Sequence, residues 1–186
     1  FTALKEKTLQ HNKNYTMFIG SKKIEVKVLL FDSTTNLEKG FATIKADENL
    51  YSVFGEKIIL RQGNDTIAGA KVLNPIVDPM KKNQKRVLLE ALDKNNFEEA
   101  YRELLNAHKK GLGLISSTQR FALSHEQAIE FGRSLENVFI DEKELIIYPI
   151  ETKDLILDFI RDIYTKNTYA LLSSTSLKLR LKWASE

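Results

Sequence analysis

Side chains able to carry proton-transfer or covalent chemistry are few and scattered. His11, His108 and His125 stand far apart, without the i, i+4 spacing that sets two imidazoles on one helix face as a metal pair. His108 falls on the apolar side of a helical pattern, where a packed, hydrogen-bonded histidine is expected rather than a ligand. The runs Ser116-Ser117-Thr118 and Ser173-Ser174-Thr175-Ser176 lack the strand–turn–helix elbow that activates a serine. The acidic pairs Glu98-Glu99 and Asp141-Glu142 fit a helix amino terminus and a solvated turn better than general acid–base work. No glycine-rich loop ends in Gly-Lys-Ser or Gly-Lys-Thr, so a P-loop is excluded, and the absence of cysteine excludes thiolate metal sites, disulfides and Cys nucleophiles. The sequence therefore predicts a chain without a catalytic site, a bound cofactor or a metal of its own.

Basic residues make the stronger pattern. Lys81, Lys82, Lys85 and Arg86 crowd into one short run, Lys22 and Lys23 lie at a turn into a strand, and Arg61 ends another strand. Near the carboxy terminus Lys178, Arg180 and Lys182 alternate with Leu177, Leu179 and Leu181 ahead of Trp183. Lysine and arginine neutralise phosphates and release counterions, so these positions are candidate RNA contacts. The competing reading is ordinary solvated surface. Net charge over 186 residues is only +3, but it is unevenly spread. The balance is +2 over residues 1–79, +4 over 80–86 and −6 over 87–163, so a basic junction parts a near-neutral front from an acidic middle. Hydrophobic residues make up 42%, enough for one large or two small domains, and no apolar stretch is long enough to span a membrane. The chain opens at Phe1 without an initiator methionine or signal-peptide pattern, which reads as a piece of a longer protein.

Two periodicities divide the elements that must position these residues. In the front part Ile24, Val26, Val28 and Leu30 alternate with Glu25, Lys27 and Leu29, the spacing of a strand with one buried face. Further strand-like runs are Tyr15–Ile19, Phe41–Ala46, Lys57–Leu60 and Thr66–Leu73, parted by turns such as Gly20-Ser21 and Gly63-Asn64-Asp65. Residues 1–76 thus predict an all-β antiparallel barrel, and residues 77–86, after Pro75 and around Pro79, a basic linker. Beyond it the period becomes helical. Asn96 can cap a helix whose Phe97, Ala100, Tyr101, Leu104, Leu105 and His108 share a face, and Ser124 with Gln127 has capping-box spacing. Three short helices and then a hairpin of Val138–Ile140 with Leu145–Tyr148 give residues 87–149 the order of a mostly α winged helix-turn-helix. Residues 150–186 read as an amphipathic helix capped by Thr152, followed by a partial second winged helix or an extension.

Segments of the front domain carry a family resemblance. Tyr15–Ser21 with the strand that follows resembles the opening of the third domain of translational GTPases. Gly55-Glu56-Lys57-Ile58-Ile59-Leu60-Arg61 is similar to a run near the end of that domain, and Thr66-Ile67-Ala68-Gly69-Ala70-Lys71-Val72-Leu73-Asn74-Pro75 resembles its closing strand. Ala68, Ala70 and Asn74 depart from the glycines and aspartate of that pattern. Elongation factor Tu ends at this barrel, whereas selenocysteine-specific elongation factors of the SelB type continue into winged helices, as this chain does. The resemblance implies a cytoplasmic translation GTPase that delivers selenocysteyl-tRNA to the ribosome at recoded UGA codons. GTP and Mg would be bound by a domain upstream of Phe1, and an mRNA hairpin by modules beyond this piece. The barrel would contribute to tRNA binding and the winged helix would link it to the mRNA-binding end. Two alternatives stay open: a DNA-binding winged-helix transcriptional regulator with an amino-terminal effector barrel, and a helical half that is an inert spacer. The first calls for a basic third helix, yet residues 125–137 offer Arg133 among Glu126, Glu130 and Glu136.

Overall fold

The computed structural model describes residues 1–181. Alternating burial builds the front half. Strands β1 (Thr2–Ala3), β2 (Leu9–Gln10), β3 (Lys13–Ile19), β4 (Lys22–Leu30), β5 (Asn36–Leu37), β6 (Ala42–Ala46), β7 (Lys57–Gln62) and β8 (Asp65–Lys71) follow one another. All pairings are antiparallel, in the order β1-β8-β7-β3-β4-β6, with β2 and β5 as a separate pair. Tyr15, Met17 and Ile19 of β3 and Ile24, Val26, Val28 and Leu30 of β4 point inward, where Ile58, Leu60, Ile67 and Ala68 complete a buried cluster. Both Ile67 and Ala68 face the core although they are neighbours in sequence, because a register shift at Leu60/Arg61 adds a residue to β8.

The sheet curls into an incompletely closed barrel. Its first strand bonds to the segment ahead of β6 through a bridge from Thr2 to Lys39 and an Ala3 N–H to Glu38 carbonyl bond of 2.6 Å. Among the described residues β1 and β6 do not pair along their lengths. Where β6 and the end of β8 face residues 74–80, a cavity of about 400 Å³ remains, lined by Met17, Ile44, Ile58, Leu60, Ala70 and Met80 among others.

The second half comprises α1 (Lys82–Asp93), α2 (Phe97–Ala107), β9 (Leu112–Gly113), α3 (Ser116–Phe121), α4 (His125–Ser134), β10 (Val138–Asp141), β11 (Ile146–Pro149), α5 (Ile150–Lys166) and α6 (Ser174–Arg180). The three short strands form a sheet in the order β10-β11-β9. From α2 to β11 helices alternate with short strands, and β10 and β11 pair as the hairpin expected from sequence as a wing. Leu88, Leu92, Ala100, Tyr101, Leu104, Leu114, Phe121 and Ile147 form its core. Caps match the residue types that start helices: the Asn96 side chain accepts from the Glu99 N–H at 3.3 Å, and Ser124 from Gln127 at 3.2 Å.

Several expectations need correction. The polar run expected as linker is helical from Lys82, because the Gln84 side chain accepts the Lys81 N–H at 3.2 Å and Leu88, Leu89 and Leu92 bury the stripe that follows. Helices α1 to α4 precede the wing, where three were expected; the polar α3 is the addition. Thr152 does not cap α5, which begins at Ile150; its buried hydroxyl donates to the Lys109 carbonyl at 2.8 Å and fixes α5 to the end of α2. Residues 174–180 are helical, so the alternation of Lys178 and Arg180 with leucines does not make a two-faced strand. Lys182 and Trp183 lie outside the described residues.

Candidate nucleic-acid interface

Cross-strand register decides which basic residues share a surface. Lys23 lies opposite Phe18, Phe18 opposite Ile59, and Ile59 opposite Gly69, which makes one row across four strands on the outer face. In the next row Arg61 lies opposite Thr16, and Thr16 opposite Glu25. A third row runs Asn14, Lys27, Lys45. Lys57 sits two residues from Ile59 on the same face of β7 and is exposed. The outer face thus gathers Lys23, Lys27, Lys45, Lys57 and Arg61 around Glu25, whose carboxylate accepts from the Thr16 hydroxyl at 2.6 Å. Among the described residues none of these four lysines forms an ion pair. Phe18 and Ile59 add apolar surface, Ile59 being 48% exposed, and the Arg61 guanidinium stands 5.7 Å from the centre of the Phe18 ring. Gly69 is exposed, with nothing within 4 Å of where a Cβ would stand, so a ligand backbone can approach the strand there. Cations beside a half-buried aromatic ring suit a phosphate backbone and the sugars or bases it carries.

The candidate residues named from sequence divide into two sets. Lys22, Lys23 and Arg61 belong to the barrel, Lys22 at the rim where β4 begins and the other two on the outer face. Lys81 and Lys82 are exposed at the start of α1, well apart in sequence from that face. Arg86 is committed to packing: it pairs with Asp32 and, like Lys82, stands 5.4 Å from the centre of the Phe31 ring. Lys85 donates to the Thr43 hydroxyl at 3.4 Å. Those side chains fasten α1 to the barrel, which leaves less of the cluster for a polyanion. Sequence reading passed over Lys27, Lys45 and Lys57. Their signal was present as basic residues at outward positions of alternating strands, but only register shows that they converge.

The outer side of α4 offers little to a nucleic acid. On α4, Glu126 and Glu130 are exposed and Arg133 is held by Glu142 at 3.1 Å. At the junction, the Asp78 carboxylate receives both terminal nitrogens of Arg120, at 2.8 and 2.9 Å, with His108 Nε2 at 2.8 Å and Asn74 Nδ2 at 3.0 Å. Burial pushes the Asp78 carboxyl up, and the hydrogen bonds from Arg120, Asn74 and His108 with the Arg120 charge overcome this, leaving it below its ordinary value of 3.8. His108 is the packed, bonded histidine expected from its place on the apolar face. Among the described residues no group of His, Asp and Glu is placed to hold a metal ion, and no helix is long and apolar enough to cross a membrane.

Comparison with known proteins agrees with this architecture. Residues 1–78 match the family described as the beta-barrel domain of the selenocysteine-specific elongation factor, SelB. Among curated proteins no sequence matches the chain. Among solved structures it is similar to the crystal structure of the bacterial selenocysteine-specific elongation factor EF-Sec, with a TM-score of 0.61 and 20% sequence identity. The likeness covers 97% of this chain and 29% of that one, so this chain spans less than a third of that protein's length, and at this identity the likeness speaks for the fold. A curled antiparallel barrel followed by helices is therefore the fold this chain shares with EF-Sec, and residues 1–78, less than half of the chain, are similar to the beta-barrel domain of selenocysteine-specific elongation factors.

Proposed function

We propose that this chain is the tRNA-engaging barrel and adjoining helical adaptor of an elongation factor that delivers selenocysteyl-tRNA to the ribosome at recoded UGA codons. In this reading the outer face of the barrel, through Lys23, Lys27, Lys45, Lys57 and Arg61, follows the tRNA backbone. The helical half links the barrel to modules that engage an mRNA hairpin, and GTP with Mg is bound by a domain outside this chain. The protein works in the cytoplasm, where the ribosome is. The observation that carries the reading is a cationic face whose four lysines form no ion pair among the described residues, on a barrel whose sequence matches the selenocysteine-specific family. A DNA-reading regulator is disfavoured by α4, whose exposed carboxylates repel phosphates.

The test is a pair of titrations of the 186-residue chain, one with bulk tRNA and one with random duplex DNA, at matched phosphate concentration and several salt concentrations. Preference for tRNA, with affinity falling linearly in log–log salt, is the expected result. Equal or tighter binding to the duplex contradicts the proposal, as does the lack of any salt-sensitive tRNA binding.

A further inference from the structure

The connection between the halves is held by one side chain more than by its backbone. Among the described residues, no backbone hydrogen bond joins residues 73–79 to either half; the last rung on the barrel side joins Val72 to Glu56, and α1 begins beyond Lys81. Val77, in the middle of this strap, is 96% exposed, so its burial anchors nothing. Leu73 and Met80, nearer the ends, pack against the helical core.

Asp78 stands out against that background, with a side chain 1% exposed although it lies in a connecting segment. Oδ1 receives Arg120 Nη2 and His108 Nε2, and Oδ2 receives Arg120 Nη1 and Asn74 Nδ2. Arg120, 4% exposed, is turned by a further bond of 3.3 Å from Nε to the Ser116 hydroxyl. The same short helix grips the barrel directly: Gln119 Nε2 donates to the Ser52 carbonyl at 2.7 Å, and the Phe54 N–H donates to the Gln119 carbonyl at 2.9 Å. One turn of α3 therefore binds the strap through Arg120 and the loop before β7 through Gln119. A bidentate arginine fixes the direction of its partner as well as its distance, which a single lysine contact does not.

We infer that the Asp78–Arg120 pair, with His108 and Asn74, is a latch that completes the contacts of α1 and Gln119 with the barrel in setting the angle between the barrel and the helical half, and that the strap of residues 74–80 becomes a hinge when the latch is opened. Pro75 and Pro79 suit this role, because each keeps its neighbourhood out of helix and has no amide N–H of its own to anchor the strap. The inference does not depend on RNA binding. A rigid adaptor holds whatever follows it at a fixed distance from the barrel, and an opened latch lets that distance vary.

The natural absence of cysteine makes the test direct. Spin labels at Asn64→Cys and Glu126→Cys on the full 186-residue chain report the distance between the halves by double electron–electron resonance. The unaltered pair should give one narrow distance, and Asp78→Asn or Arg120→Gln should give a broad distribution with helical circular dichroism retained. Trypsin cleavage after Lys81 and Lys82 should accelerate on the order of tenfold in both variants as the strap loosens. His108→Gln, which leaves the arginine in place, should broaden the distances less. An unchanged narrow distance in Asp78→Asn overturns the latch. So does loss of the helical signal, since the pair would then serve to fold the helical half rather than to orient it.

Discussion

Replacing Gly111 by alanine tests how closely the wing is packed on the turn after α2. Gly111 has φ of +106°, and a Cβ built there would stand 2.6 Å from Tyr148 Cε1 and 2.7 Å from Ile146 Cγ2. Neither neighbour can retreat freely, because Ile146 pairs with Gly113 in β9 while Tyr148 pairs with Phe139 in β10. The positive φ costs an L residue about 1–2 kcal/mol, and overpacking adds about 1–3 kcal/mol. A reduced unfolded-state entropy returns about 0.4–1 kcal/mol. The sum is a destabilisation of about 1–5 kcal/mol, centred near ~3 kcal/mol and large against the ~5–15 kcal/mol that holds a typical domain together. Gly132→Ala in α4 is the control: its Cβ would meet Leu114 Cδ2 at 2.4 Å, but the helix regains about 1 kcal/mol of propensity, so a loss of about 0–2 kcal/mol is expected. Urea unfolding followed by helical circular dichroism measures both. Adding Tyr148→Ser to Gly111→Ala should recover part of the loss if the ring is the obstacle. An unchanged urea midpoint for Gly111→Ala would refute the close approach and the placement of the wing.

Two further outcomes concern buried polar groups. Burial raises the Tyr101 hydroxyl to about 12, and among the described residues neither that hydroxyl nor the buried Ser117 hydroxyl has a hydrogen-bond partner. Tyr101→Phe should therefore be neutral or stabilising by roughly 1 kcal/mol. Stability of the unaltered chain should be full below the unfolded value of 10 and fall as pH rises toward 12, a loss that Tyr101→Phe reduces in thermal melts across that range. Asp78 works in the opposite direction. Its folded pKa lies below 3.8, so its contribution is present above that value and is lost as pH falls through the folded pKa. Acid unfolding should therefore lose steepness at its low-pH end in Asp78→Asn; an unaltered acid profile counts against the pairing.

What could be read from the sequence follows the range of the interactions. β3 and β4 were legible because their alternation is local: Ile24, Val26, Val28 and Leu30 are buried while Glu25 and Lys27 are exposed. The caps at Asn96 and Ser124 were legible because a cap is completed within three residues. α3 was not, since Ser-Ser-Thr-Gln-Arg-Phe has no apolar stripe and is placed by Arg120 reaching a carboxylate 42 residues away. The basic run at Lys81–Arg86 drew attention by its density, yet Arg86 and Lys85 serve α1 docking on Asp32 and Thr43, contacts more than 40 residues distant. The outer-face lysines were individually unremarkable in sequence and become one surface only after the strands are set in register.

In the proposed function the barrel's outer face, and not the start of α1, carries the affinity for tRNA. Two charge reversals decide it by tRNA titration at several salt concentrations: Lys23→Glu with Arg61→Glu, and Lys81→Glu with Lys82→Glu, each beside the unaltered chain. The barrel pair should weaken binding and lower the salt slope by about 1 for each phosphate no longer neutralised, while the α1 pair should leave the slope near that of the unaltered chain. The reverse result, with full affinity retained by the barrel variant and abolished in the α1 variant, would contradict it.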